Sequence, residues 1–270
     1  MPSPSEKAKP LPTSPKKGRR YDPETGALTH DHKPPETSAS DRKRFLRHPD
    51  ADADHPLCGF PATIVLLIGP LGCGKSSCIH GLLSEFSECL KPSNLGRILY
   101  YSGSAGDHVL DAYRNEASKV EVFTPESKET FQETLRGMLA DASTIPHSAK
   151  KHSILVVDDA ANDSELLPAN VKSETPLGRI AMSLRHLPAT LIVSAQKLSA
   201  LPAFLRTNAT HMFVFRTKSE AERKDVIKAA SFSRKEFERA MDTLTEPGHF
   251  LWMNNHRRTL VRGWTTPLVH

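Results

Sequence analysis

The sequence predicts an α/β domain: a mostly parallel sheet with helices on both faces, preceded by a disordered N-terminal tail. Three observations predict it. A continuous apolar run, Ile64-Val-Leu-Leu-Ile68, leads directly into Gly69-Pro-Leu-Gly-Cys-Gly-Lys-Ser76. Short apolar runs then alternate with segments of helical period as far as Phe215, the pattern of a parallel sheet that binds ligands at the carboxyl ends of its strands. Two of those runs end in polar side chains, Asp158-Asp159 and Gln196.

Taken in order, the first strand spans 63–68, and a run apolar at every position suits a strand covered on both faces. The GxxxxGK[ST] spacing that follows is a P-loop. Its glycines, Gly69, Gly72 and Gly74, let the backbone turn its N–H groups onto phosphate oxygens. Cys78, Ile79, Leu82, Leu83 and Phe86 then recur at helical spacing, so a helix N-terminus adds its dipole to the same place. Strands are predicted over 97–101 and 120–123. Thr124-Pro125 reads as an N-cap with proline at the first helical position, ahead of Phe131, Leu135, Met138 and Leu139 on one face. A strand over 154–158 follows, then Thr175-Pro176, the same start signal, before Leu177, Ile180, Ala181 and Leu184. Strands over 190–194 and 212–215 come next. Ser219/Glu222 and Ser233/Glu236 read as capping boxes, the second stapled by Phe232 and Phe237. The 74 residues after Gln196 leave room for closing strands but no nuclease domain.

With 270 residues, 38% hydrophobic and 25% charged, the chain fits one core better than two. Residues 1–55 carry nine prolines and almost no apolar period, so they read as a disordered basic tail, with the domain over 56–270. The net charge of +5 belongs to the first 20 residues, where six Lys/Arg oppose Glu6, and the remainder balances. Any nucleic-acid attraction of the folded part must therefore come from the arrangement of charge. Pro15-Lys-Lys-Gly-Arg-Arg20 and Asp41-Arg-Lys-Arg44 suit nucleic-acid binding, nuclear import or a merely solubilising tail. No apolar stretch approaches the roughly 18 residues of a membrane span, and Met1–Glu6 lacks the apolar segment of a secretory signal. Cys58, Cys73, Cys78 and Cys89 form no CxxC pair, which predicts a reduced, intracellular protein.

The chemistry follows from the strand ends. Gly69, Pro70, Leu71, Gly72, Cys73, Gly74, Lys75, Ser76 and Ser77 would cradle a nucleotide, with Lys75 on the β- and γ-phosphates and the Ser76 hydroxyl on Mg²⁺. Asp158, at the carboxyl end of its strand, would hold the same Mg²⁺, and Asp159 would orient or deprotonate the attacking water. The 83 residues between Lys75 and Asp158 leave room for intervening strands, the arrangement of ATP-hydrolysing motors and not of GTP switches. The chain has no Asn-Lys-x-Asp guanine-reading motif, so ATP is the expected nucleotide. Gln196 could sense the γ-phosphate, or lie in solvent as an ordinary loop residue. Arg185 and Arg206 are candidate arginine fingers, each with a plain surface role as the alternative.

The order Gly69–Ser76, Leu155-Val-Val-Asp-Asp159, Arg185-His186-Leu-Pro-Ala-Thr-Leu-Ile-Val-Ser-Ala-Gln196, Leu205-Arg206-Thr-Asn208 resembles the FtsK/HerA superfamily of P-loop motors. Within it, the chain is most similar to the poxvirus-type virion DNA-packaging ATPases of large DNA viruses, over about residues 60–255. The resemblance implies a P-loop NTPase with a RecA-like motor core, hydrolysing ATP with Mg²⁺ to translocate double-stranded DNA into a capsid. It also implies a homo-oligomeric ring, a hexamer, that meets capsid or portal vertex proteins in the host nucleus or a cytoplasmic virus factory. By motif position, Asp158 becomes the metal ligand, Asp159 the catalytic acid, Gln196 the sensor and Arg206 or Arg185 the finger. Many motors of the class carry Glu where this chain has the shorter Asp159. A nucleotide kinase or other phosphotransferase, and an ATP-binding switch with little turnover, are the alternatives; no arginine-rich lid stands out for the first.

Overall fold

The structure is a computed structural model. It describes residues 62–89, 95–104, 120–144, 151–161, 163–167, 175–184, 187, 189–230, 232–246, 248–255, 258–263 and 266–269. The predicted tail (1–55) and Arg185-His186 lie outside them. All described residues belong to one compact unit, Lys43–His270.

Nine strands form one sheet in the order β3-β2-β4-β5-β1-β6-β7-β8-β9. Six are parallel neighbours: β1 (Ala62–Ile68), β2 (Leu95–Ser102), β3 (Val120–Phe123), β4 (His152–Asp158), β5 (Ala189–Ala195) and β6 (His211–Phe215). Every predicted strand falls inside one of these. The sheet then continues antiparallel through β7 (Phe250–Asn254), β8 (Thr259–Arg262) and β9 (Thr266–Val269), the closing strands that the sequence leaves unplaced.

Alternation along the strands explains two cores. Ile64, Leu66 and Ile68 join one buried cluster, whereas Val65 and Leu67 join the other, because successive side chains leave a strand on opposite faces. Helix α1 (Lys75–Cys89) covers the second cluster with Cys78, Ile79, Leu82 and Leu83. On the opposite face lie α2 (Lys128–Thr144), α3 (Pro176–Ser183), α5 (Glu220–Ala229) and α6 (Arg234–Asp242), through Phe131, Leu135, Leu177, Ile180, Val226, Phe237 and Met241. The short α4 (Ala203–Asn208) connects β5 to β6. No helix among the described residues is long and apolar enough to cross a membrane.

The helix starts are only partly as predicted. Thr175 caps α3, its hydroxyl accepting from Gly178 N–H at 3.2 Å. The Ser233 box is reciprocal: Glu236 N–H donates to Ser233 Oγ at 3.3 Å and Ser233 N–H to Glu236 Oε2 at 2.8 Å. Its staple residues, Phe232 and Phe237, are both buried in one cluster. The Ser219 box is half formed. Glu222 N–H donates to Ser219 Oγ at 3.3 Å, but the buried Glu222 carboxylate accepts instead from Leu198 N–H at 2.8 Å, tying α5 to the short turn after β5. At Thr124 the first three residues form a tight 3-10 turn, Pro125–Ser127, ahead of α2. There Ser127 Oγ accepts from Thr124 N–H at 2.9 Å.

Candidate nucleotide site

The P-loop joins β1 to α1 and is fixed from behind. Gly69 N–H donates to Ala195 O of β5 at 3.2 Å. A Cβ at Gly69 would lie 2.6 Å from Phe215 Cβ, so only glycine lets β6 pass this close. Gly72 and Gly74 take φ of +71° and +100°, the left-handed region that reverses the chain around the loop. Lys75, 7% exposed, opens α1, and its ammonium donates to Gly69 O and Pro70 O, each at 2.9 Å. It forms no salt bridge among the described residues. A nearly buried cation held by two carbonyl dipoles and a neutral sulfur favours an anionic ligand strongly. The Cys73 sulfur lies 4.0 Å from it, and burial pushes the thiol's pKa up, which keeps it protonated and unreactive.

The acid pair stands two strands away, at the end of β4, with β5 between it and β1. The sequence spacing foresaw added strands; β2 and β3 lie beyond β4, and the strand actually inserted is β5. Asp158 is 2% exposed, and the Tyr100 hydroxyl of β2 donates to its Oδ2 at 2.8 Å. The Ser194 hydroxyl of β5 donates to its Oδ1. Asp159 leaves the strand with φ +50°, a left-handed conformation that aspartate tolerates better than most residues. That turn exposes its carboxylate, while its N–H donates to Ser194 Oγ at 2.9 Å. Gln196 Nε2 donates to Asp159 Oδ1 at 3.3 Å, so the predicted sensor is attached to the predicted catalytic acid.

A cavity of about 410 Å³ brings the two halves together, lined by Leu71, Gly72, Gly74, Lys75, Ser76, Ser77, Ser104, Asp158 and Asp159. A second, of about 440 Å³, opens on the other side of the loop against Pro70, Cys73, Arg216, Lys218, Gly248 and His249. The nine predicted nucleotide residues thus divide: Gly69 is packing, and Pro70 and Cys73 face the second cavity. Ser104, just past the end of β2, escaped sequence reading although it sits at a strand's carboxyl end. Arg206 is not brought to this site. It lies on α4, which returns the chain to Thr210, whose N–H donates to Ile64 O near the amino end of β1. Its buried Nε has no hydrogen-bond partner.

The donor set fits Mg²⁺ held jointly with phosphates. Ser76 and Asp158 supply two hard oxygens on one cavity, and no cluster of three or more His, Cys, Asp or Glu among the described residues could hold a metal unaided.

No protein-family model matches the chain, and no curated protein sequence does. Solved structures do. The genome-packaging NTPase B204 from Sulfolobus turreted icosahedral virus 2, in complex with AMP, is 22% identical, with 76% of this chain and 98% of that chain covered and a TM-score of 0.55. Its complex with ATP-gammaS gives 18%, 77%, 100% and 0.54. ATPases 2 and 3 of EssC from Geobacillus thermodenitrificans are 15% identical, covering 78% of this chain and 40% of that chain, with a TM-score of 0.56. With its P-loop, inserted β5 and acid-tipped β4, the chain has the P-loop NTPase fold that these NTPases share.

Proposed function

We propose that the chain is an Mg²⁺-dependent ATPase of the FtsK/HerA type that translocates double-stranded DNA, packaging a viral genome into a capsid. A buried ammonium without a carboxylate partner among the described residues, sharing one cavity with Asp158 and Asp159, carries the proposal. Lys75 would exchange its two carbonyls for β- and γ-phosphate oxygens, and the loop's N–H groups would hold the rest of the chain of phosphates. Asp159, exposed and hydrogen-bonded by Gln196, would orient water at the γ-phosphate. When bound, Mg²⁺ supplies charge neutralisation at the transferring phosphoryl group. The two packaging-NTPase complexes with nucleotides support this reading by likeness of fold, as does the motif order.

The motor would work as a ring, with Arg206 or Arg185 reaching a neighbour's nucleotide, and basic pore residues tracking DNA phosphates without sequence preference. Its partners would then be double-stranded DNA and capsid or portal proteins, in the host nucleus or a virus factory. Steady-state ATP hydrolysis, measured with and without long double-stranded DNA at two salt concentrations, tests this. DNA stimulation that fades with salt is the expected result. DNA-indifferent turnover, or phosphate delivered to a small acceptor, would select a phosphotransferase, and tight binding without turnover a switch.

A further inference from the structure

Asp158 does not receive its geometry from its own strand. Both of its oxygens are engaged by side chains of the neighbouring strands: Tyr100 OH of β2 on Oδ2 at 2.8 Å and Ser194 Oγ of β5 on Oδ1. The register explains the access. Tyr100 pairs with Val156, two residues below Asp158, and Val157 pairs with Val193, one residue before Ser194. Tyr100 and Ser194 are both fully buried, so neither hydroxyl competes with solvent, and a charged acceptor makes each bond a strong one. Ser194 acts twice, because its oxygen also accepts from Asp159 N–H at 2.9 Å. One hydroxyl thereby links the backbone of the second acid, held at φ +50°, to the carboxylate of the first.

We propose that Tyr100 and Ser194 are positioning residues that preset the acid pair before any ligand arrives: Tyr100 aims Asp158 at the metal, and Ser194 fixes Asp158 and Asp159 relative to each other. With two of its lone pairs committed to hydroxyls, the Asp158 carboxylate cannot rotate and keeps its remaining lone pairs for the cavity. The two residues then differ in what they control. The Tyr100 hydroxyl donates to the metal-holding acid, so it governs how tightly Mg²⁺ is held. Ser194 also governs where Asp159 stands, so its loss reaches the hydrolytic step. The proposal rests on the Mg²⁺-nucleotide reading of the site.

Tyr100→Phe keeps the buried ring and removes one oxygen, which separates the hydrogen bond from packing. Calorimetric binding of a non-hydrolysable ATP analogue to the full chain, in Mg²⁺ and in EDTA, is measured beside the Mg²⁺ dependence of turnover. In EDTA, where Lys75 and the P-loop do the binding, Tyr100→Phe and Ser194→Ala should match the wild type within about twofold. In Mg²⁺, Tyr100→Phe should need about tenfold more Mg²⁺ for half-maximal binding and turnover, the usual cost of losing an outer-shell partner. Its kcat at saturating Mg²⁺ should be unchanged. Ser194→Ala should show the same weakening and a kcat at least about tenfold lower even at saturating Mg²⁺. A Tyr100→Phe chain with an unshifted Mg²⁺ response, or one that loses binding equally in EDTA, overturns the proposal while leaving the nucleotide reading intact. A wild-type chain that binds no nucleotide in either condition overturns both.

Discussion

In the proposed function Lys75 binds the phosphates and Asp159 serves hydrolysis, and single substitutions should separate the two roles. Lys75→Ala removes the only cation that lines this cavity among the described residues, and nucleotide binding should be abolished in a direct titration. Asp159→Asn retains a residue that tolerates the left-handed backbone, so it removes charge alone; binding should persist while turnover stops. Normal turnover in that variant would remove Asp159 from the mechanism. Gly103 offers a sharper probe, since it never touches a ligand in this reading. Its N–H donates to Asp158 O at 2.7 Å, and a Cβ there would lie 2.4 Å from Asp159 O. Gly103→Ala should therefore displace Asp159 and lower kcat by about a hundredfold, the scale of an ångström-sized misplacement, with binding in EDTA unchanged.

The two capping boxes show what an element's sequence does and does not disclose. Ser219-x-x-Glu222 and Ser233-x-x-Glu236 are the same signal, yet only the second is closed by its own glutamate. The Glu222 carboxylate is drawn away by Leu198 N–H, a tertiary partner 24 residues earlier that no local pattern reveals. The consequence is measurable. Glu236→Ala loses an exposed capping bond and should lower stability only slightly in urea unfolding. Glu222→Ala strands a buried N–H and should cost about 1–3 kcal/mol; equal costs would mean that the tie to Leu198 is incidental. The same distinction runs through the site. Five of the six parallel strands were legible because burial on both faces writes a long apolar run, whereas the edge strand β3, Val-Glu-Val-Phe, shows only a half-buried alternation. Strands β8, Thr-Leu-Val-Arg, and β9, Thr-Pro-Leu-Val, offer only two adjacent apolar residues each, flanked by polar residues or proline, and do not stand out. Tyr100 and Ser104 were invisible because their roles arise from β2 lying beside β4, not from any spacing along the chain.

For the whole molecule, stability and assembly give separate tests. His152 Nε2 lies 2.9 Å from Thr190 Oγ1 at the amino ends of β4 and β5, and burial lowers its pKa from 6.5 to about 4. Above pH 6.5 the imidazole is neutral in both states and folding is not opposed. As pH falls from 6.5 towards 4 the unfolded chain takes up a proton that the folded chain refuses, so stability is lost across that window. Thermal unfolding from pH 8 to pH 4 should show that loss, and His152→Gln should flatten it. Assembly is tested through Arg206. If it serves a neighbouring nucleotide, mixing Arg206→Ala chains with Lys75→Ala chains should restore part of the activity that each lacks; no rescue would argue against an interface site.

Strand β5 is paired residue for residue with both β1 and β4, from Ala62↔Ala189 to Ile68↔Ala195 on one side and Ser153↔Ala189 to Val157↔Val193 on the other. A slip of one residue would turn Ser194 to the opposite face and carry Gln196 away from Asp159. Seating β5 in register therefore delivers Ser194 and Gln196 to the acid pair together, and a chain with β5 out of register lacks both contacts at once.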